Sequence, residues 1–209
     1  MLKQSAVIVA VLVGVSMCTA QSTLALPPAP VRNHSISIQG GWSWPLSHDG
    51  LTSYWGPGPA ASVEFLTAVN RLVSLGFDFE GSAFWFRGPA FAGAYPKLPF
   101  RNPPVAQIVA GVVGRLTIAP GKRLTPYVGA LIGISHVTGA EYRVPTDSGR
   151  VTYYYIPFQT RLAGALYGGL EYRISRSLAF DAEARALYVN DDPDVGLTAV
   201  VRGGFRFLF

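Results

Sequence analysis

From His34 to Phe209 the sequence alternates between apolar and polar residues, in segments of about ten residues or more. A strand sends successive side chains to opposite faces, so this period of two means strands with unlike faces. In 35–44, Ile36, Ile38, Trp42 and Trp44 share one face, against Ser35, Ser37, Gln39 and Ser43. In 72–86, Val73, Leu75, Phe77, Phe79 and Trp85 oppose Ser74, Asp78, Glu80 and Ser82. In 159–174, Leu162, Leu166, Leu170 and Tyr172 oppose Gln159, Arg161, Glu171 and Arg173. In 177–189, Leu178, Phe180, Ala182, Ala184 and Tyr188 oppose Asp181, Glu183 and Arg185. The final stretch sets Leu197, Ala199, Val201, Phe205, Phe207 and Phe209 against Thr198, Arg202 and Arg206.

Segments 61–68, 106–118 and 125–137 fit the pattern less cleanly. In 125–137 the pattern leaves open whether the Tyr127/Leu131 face or the Val128/Ile132/Ile134 face is the apolar wall. Ala, Glu and Arg in 179–186 also favour helix, but the alternation reads as strand. The total is about eight strands. Globular strands average about 5–6 residues, whereas tilted membrane-spanning strands need about 9–11. The 23 Gly and 16 Pro argue against a helical bundle, and only 14% of residues are charged, against about 25% in an ordinary soluble domain.

The connections alternate in length. Short ones fall near 69–71, 119–122 and 174–177; longer ones near 45–59, 87–104 and 138–157, with a compact one at 190–194. Short and long ends in turn are what a meander gives when its ends face different compartments, as in outer-membrane barrels with short periplasmic turns. Alternation alone does not say which face is inside: a lipocalin-like barrel buries the apolar face, and a membrane barrel exposes it. Three features favour the second. The polar face mixes a few charges with many Gly, Ala and Ser, which suits a crowded lumen. Trp42, Trp44, Trp85, Tyr172 and Tyr188 sit near strand ends on the apolar face, where aromatic girdles belong. The Phe205, Phe207, Phe209 series makes a sticky edge in an open sheet, and closure removes that edge. The expected fold is all-β: an up-and-down antiparallel transmembrane β-barrel of about eight strands.

The N-terminus reads as a processing segment. Lys3 precedes the apolar run 6–15, followed by small residues around Ala20 and Ala25, the layout of a secretory signal peptide. The expected organisation is a signal peptide at 1–25, a periplasmic lead-in at 26–33 and a barrel at 34–209. Cleavage after Ala20 also fits. Cys18 is the only cysteine, so the mature chain has no disulfide framework. Met17 stands where a lipoprotein box needs a small residue. The formal net charge of +5 falls by the one charge of Lys3 to +4, with no Lys/Arg run, so nucleic acid is not an expected partner.

The signal peptide, the alternating strands, the short turns on one side and terminal Phe209 together resemble the small outer-membrane barrels of the OmpA, OmpX and OmpW kind. The resemblance covers nearly all of the mature chain and singles out no subfamily. It implies a bacterial outer-membrane location, membrane lipid as surroundings, a monomer, and passage through the barrel-assembly machinery. Phe205, Phe207 and Phe209 then carry the C-terminal assembly signal. No periplasmic peptidoglycan-binding domain is implied.

On this reading Glu64, Asp78, Glu80, Arg115, Arg161, Glu171, Arg173, Asp181, Glu183, Arg185, Arg202 and Arg206 point into the lumen. An eight-strand barrel has room only for its own side chains, so these charges are expected to pair into a plug. A narrow polar path or a carrier cavity for a small molecule is the alternative. An enzyme acting on outer-membrane lipid needs a nucleophile, a base and an orienting group. His34, His48 and His136, with neighbours Ser47, Asp49 and Ser135, supply little, because adjacent strand residues face opposite ways. No catalytic residue, cofactor site or metal site is expected. The longer connections carry Tyr54, Trp55, Phe91, Tyr95, Phe100, Tyr142 and Tyr153–Tyr155, which either pack on themselves or offer a contact surface. The expected role is structural or surface-interactive, with the surface ligand unidentified.

Overall fold

A computed structural model describes residues 33–46, 55–86, 105–138, 140–145, 151–156, 159–191 and 194–209. The segments expected to be a signal peptide and most of a lead-in, His48, and Tyr54, Phe91, Tyr95 and Phe100 of the longer connections lie outside the described residues. Eight strands form the wall: β1 (His34–Pro45), β3 (Gly58–Ala68), β4 (Val73–Phe86), β5 (Val105–Thr117), β6 (Leu124–Val137), β9 (Gln159–Arg173), β10 (Leu178–Asp191) and β11 (Asp194–Leu208). They are 11 to 15 residues long, the length a tilted strand needs to cross a bilayer. Each pairs antiparallel with its neighbour in the chain. β1 and β11 then pair from Ser35↔Leu208 to Pro45↔Thr198. The sheet therefore closes on itself as an eight-stranded up-and-down barrel.

The turns at one end are tight for identifiable reasons. Between β3 and β4 the Asn70 side-chain oxygen accepts from the amides of Leu72 (2.8 Å) and Val73 (2.9 Å). Asn mimics a backbone turn in this way. Between β5 and β6, Gly121 has φ 88°, a conformation that side chains with a Cβ disfavour. The connections at the other end are more elaborate than the sequence pattern predicts. β2 (Trp55–Gly56) pairs with the end of β4. The connection expected at 138–157 contains a hairpin of β7 (Ala140–Pro145) and β8 (Val151–Ile156), a strand pair continuing past the wall.

The faces are inverted relative to a soluble barrel. Ile132 is 73% exposed, Leu166 71% and Phe77 66%, while Asp181 is fully buried and Arg206 only 2% exposed. The open face at 125–137 is thereby decided: Val128, Ile132 and Ile134 face out, and Tyr127 and Leu131 face in. Trp42, Trp44, Trp85 and Tyr188 are exposed on the outer wall near the long-connection end, and Tyr172 near the turn end. Phe205, Phe207 and Phe209 are also exposed on the outside. Such a wall is compatible with hydrocarbon, and every wall strand has its backbone bonded on both sides, which a bilayer requires. The fold is that of a transmembrane β-barrel.

Candidate functional site

The lumen is the part of the molecule where the sequence concentrates chemistry. β10 contributes Asp181, Glu183 and Arg185 at successive inward positions; β4 contributes Asp78 and Glu80, β3 Glu64, β5 Arg115, β9 Glu171, and β11 Arg202 and Arg206. All ten are buried. They form two groups stacked along the barrel axis.

The group nearer the turns centres on Asp181. Its Oδ2 accepts from Arg206 Nη2 at 2.6 Å and from Arg115 Nη1 at 3.3 Å, and its Oδ1 accepts from the Tyr127 hydroxyl. Arg206 also reaches Glu64 at 2.7 Å and donates to the Ser35 hydroxyl at 3.2 Å. Arg115 pairs with Glu171 at 2.8 Å, and its guanidinium lies 3.4 Å from the centroid of the Tyr127 ring. The second group joins Arg185 and Arg202 to three carboxylates. Arg185 pairs with Asp78, with Glu80 at 3.2 Å and with Glu183 at 3.1 Å. Arg202 pairs with Glu80 and Glu183, both at 2.9 Å. The Tyr127 hydroxyl lies 3.2 Å from Glu183 as well as beside Asp181, so one phenol ties the groups together.

The two remaining predicted lumen charges lie outside the fully buried set. Arg173 is partly exposed at the turn end and only 3.8 Å from Glu171. Arg161 is half-buried at the opposite end of β9. The fully buried set therefore holds six carboxylates and four guanidiniums. Charges removed from water need opposite partners close by, and each guanidinium in the set contacts at least two carboxylates.

Much of the filling is apolar, which the expectation of a polar lumen omits. Leu66, Val109, Val113, Leu131, Leu187 and Val189 pack with Tyr127 and Tyr167 in one buried cluster, largely on β5, β6, β9 and β10. Ser35, Ser37, Gln39, Ser43 and Ser62 line the opposite wall. The two tyrosines depend on glycines across the strand pair. Gly129 faces Tyr167 and Gly169 faces Tyr127 in the β6–β9 register. A Cβ on Gly129 falls 2.2 Å from Tyr167 Cζ, and one on Gly169 falls 2.4 Å from the Tyr127 hydroxyl oxygen. The missing side chains are the space into which the rings fold. The readable signal is the paired Tyr-x-Gly spacing at 127–129 and 167–169.

Below the network, at the turn end, lies a cavity of about 140 Å³ with Arg115, Glu171, Arg173 and Arg206 among its lining residues. It meets the Asp181 group at Arg115 and Arg206. The histidines are placed elsewhere: His34 Nδ1 is 3.1 Å from the Thr67 hydroxyl, and His136 Nδ1 is 2.9 Å from that of Thr160. Ser135, next to His136, is buried and receives a hydrogen bond from Gln107 at 3.0 Å, so serine and histidine occupy opposite faces. Among the described residues no group of three or more His, Cys, Asp or Glu is arranged to hold a metal ion.

No protein-family model matches the chain, and no curated protein matches it in sequence. Solved structures do. Neisserial surface protein A is similar over 84% of this chain and 97% of its own, with a TM-score of 0.58 at 14% identity. Outer membrane protein OprG from Pseudomonas aeruginosa is similar over 85% of this chain and 97% of its own, with a TM-score of 0.51 at 11% identity. The chain thus has the fold of the small eight-stranded outer-membrane β-barrels.

Proposed function

We propose that this is an outer-membrane protein of Gram-negative type, exported by a signal peptide within residues 1–25, with a structural or surface-interaction role and a closed lumen. The carrying observation is the buried ion network: Arg185, Asp78 and Glu183 have fully buried side chains in the middle of the barrel, and Arg202 and Glu80 nearly so. A route for ions through that layer requires separating several pairs at once. Removing one partner from a buried pair costs about 3–5 kcal/mol, so spontaneous opening is rare. The outward apolar wall supports a bilayer as surroundings, and the fold supports the outer membrane. The placement of Ser135 and His136 on opposite faces supports a non-enzymatic reading.

The test has two parts. The outer-membrane fraction is run on gels with and without boiling, and the purified protein is placed in planar bilayers. A band in that fraction that shifts on boiling, together with no steady conductance, is expected. A soluble band with no shift overturns the membrane reading. A stable, large conductance of the unaltered protein overturns the closed lumen and favours a porin-like path.

A further inference from the structure

The three turns at one end of the barrel carry charged side chains of one sign only. Arg71 stands in the β3–β4 turn, Lys122 and Arg123 in the β5–β6 turn, Arg176 in the β9–β10 turn, and Arg173 closes β9. Arg71, Lys122, Arg123 and Arg176 are exposed. Residues 69–72, 118–123 and 174–177, the three turns, contain no Asp or Glu. The side-chain carboxylate nearest this end, Glu171, is buried and pairs with Arg115 at 2.8 Å and with Arg173 at 3.8 Å. The four exposed cations therefore have no acidic side chain beside them in the turns.

Their height and direction suggest what neutralises them. The Arg123 guanidinium lies 4.9 Å from the centroid of the Tyr172 ring, and Tyr172 faces out from the wall, 40% exposed. The Arg173 amide donates to the Arg123 carbonyl at 2.8 Å, holding that turn against β9. Arg123 thus sits beside an outward aromatic at the level where the strands end. In a bilayer this is the headgroup layer, where Tyr is favoured. A soluble partner approaching along the barrel axis meets the turns instead of the wall, and an Arg stacked on a wall residue is placed for lipid.

We propose that this basic rim binds the phosphodiester of anionic phospholipid in the leaflet on the turn side. The proposal rests on the membrane-spanning reading. Each Lys or Arg near an anionic membrane surface strengthens attraction about fivefold. Several acting together therefore produce marked selection for an anionic headgroup over a zwitterionic one.

The full chain is reconstituted with equal amounts of phosphatidylglycerol and phosphatidylethanolamine of the same acyl chains, and retained lipid is counted by native mass spectrometry. Retention of phosphatidylglycerol at least tenfold over phosphatidylethanolamine is expected. It should fall to near parity in the Lys122→Gln/Arg123→Gln/Arg176→Gln variant, whose heat-dependent gel shift stays normal. Equal retention of the two lipids by the unaltered protein overturns the proposal without needing any variant. Selectivity that persists in the triple variant also overturns it. Displacement of the lipid by millimolar inorganic phosphate assigns a free-anion site instead, and binding of a soluble anionic glycan or protein with no lipid preference assigns a periplasmic partner. Absence of the gel shift in the unaltered protein defeats the membrane reading and this proposal together, which separates that failure from a failure of lipid selection alone.

Discussion

Asp181 illustrates how much one buried residue can hold. It accepts from Arg206, Arg115 and Tyr127 with no exposure to water. Arg185 occupies the equivalent place in the second group, between Asp78, Glu80 and Glu183. Deleting Arg185 leaves three carboxylates facing one another around Arg202 alone. Arg185→Ala, or Glu183→Ala, should therefore cost about 3–5 kcal/mol, read as a lower urea midpoint in detergent. No large conductance should open, because Leu131, Leu187 and the rest of the apolar cluster still fill the barrel. A stable and freely conducting Arg185→Ala variant defeats the plug. Gly129 makes the complementary case, in which an absent side chain matters. Gly129→Ala puts a methyl 2.2 Å from Tyr167 Cζ, and overpacking of this kind costs about 1–3 kcal/mol. Tyr167→Leu in the same chain should give a double variant less unstable than the two single losses summed, since the substitutions share one space. Strict additivity in urea unfolding contradicts the ring-into-glycine arrangement.

A strand of this barrel has two solvents, and β11 shows both. Thr198, Arg202 and Arg206 are buried inside, while Val201, Phe205 and Phe207 are exposed outside. Val201 stands near the middle of the strand, paired with Trp42 on β1 and Ala184 on β10. An Arg on the lipid face costs about 2–4 kcal/mol at the midplane and about 0–1 near the interfaces. Val201→Arg should therefore destabilise the folded protein in lipid by several times as much as Ile174→Arg at the turn end, measured by urea unfolding from vesicles. Equal, small effects indicate that water bathes this wall. The period-two pattern made most strands and both faces legible in advance, because charge against aromatic at every second residue is unambiguous. It was silent at 125–137, where Tyr127 and Leu131 are as apolar to the eye as Val128 and Ile132. There the facing depends on which side offers tyrosine a carboxylate and an opposing glycine, and both lie on other strands. The same limit hid the apolar part of the lumen: Val109 and Val113 differ from their outward neighbours only in what surrounds them. Which carboxylate meets which guanidinium follows from barrel closure, a relation between residues as distant as Glu80 and Arg202.

Taken as a whole, the molecule is a closed wall with unlike ends. One end has turns of four to six residues carrying Arg71, Lys122, Arg123 and Arg176; at the other, residues 46–57, 87–104 and 138–158, with the short 192–193, connect the wall strands. The proposed orientation puts the short turns in the periplasm and the long connections outside, as in outer-membrane barrels generally. Trypsin distinguishes the ends because it cuts after Lys and Arg, and each end has its own set. Arg87, Lys97, Arg101, Arg143 and Arg150 belong to the long-connection end, either within those segments or within their hairpin. Proteolysis needs several residues of accessible backbone, which long connections offer more readily than tight turns. Trypsin added to intact cells should therefore cut after some of those five residues and leave the bonds after Arg71, Lys122, Arg123 and Arg176 whole. The fragments should stay together as one band until boiled, because each wall strand keeps its paired neighbours. Disrupting the outer membrane first should add cuts at the turns, if anywhere. Fragments ending at Arg123 or Arg176 from intact cells, with the long connections uncut, mean that the barrel sits the other way up. The basic rim would then face the outer leaflet, and the anionic phosphate it meets would belong to the lipid of that side.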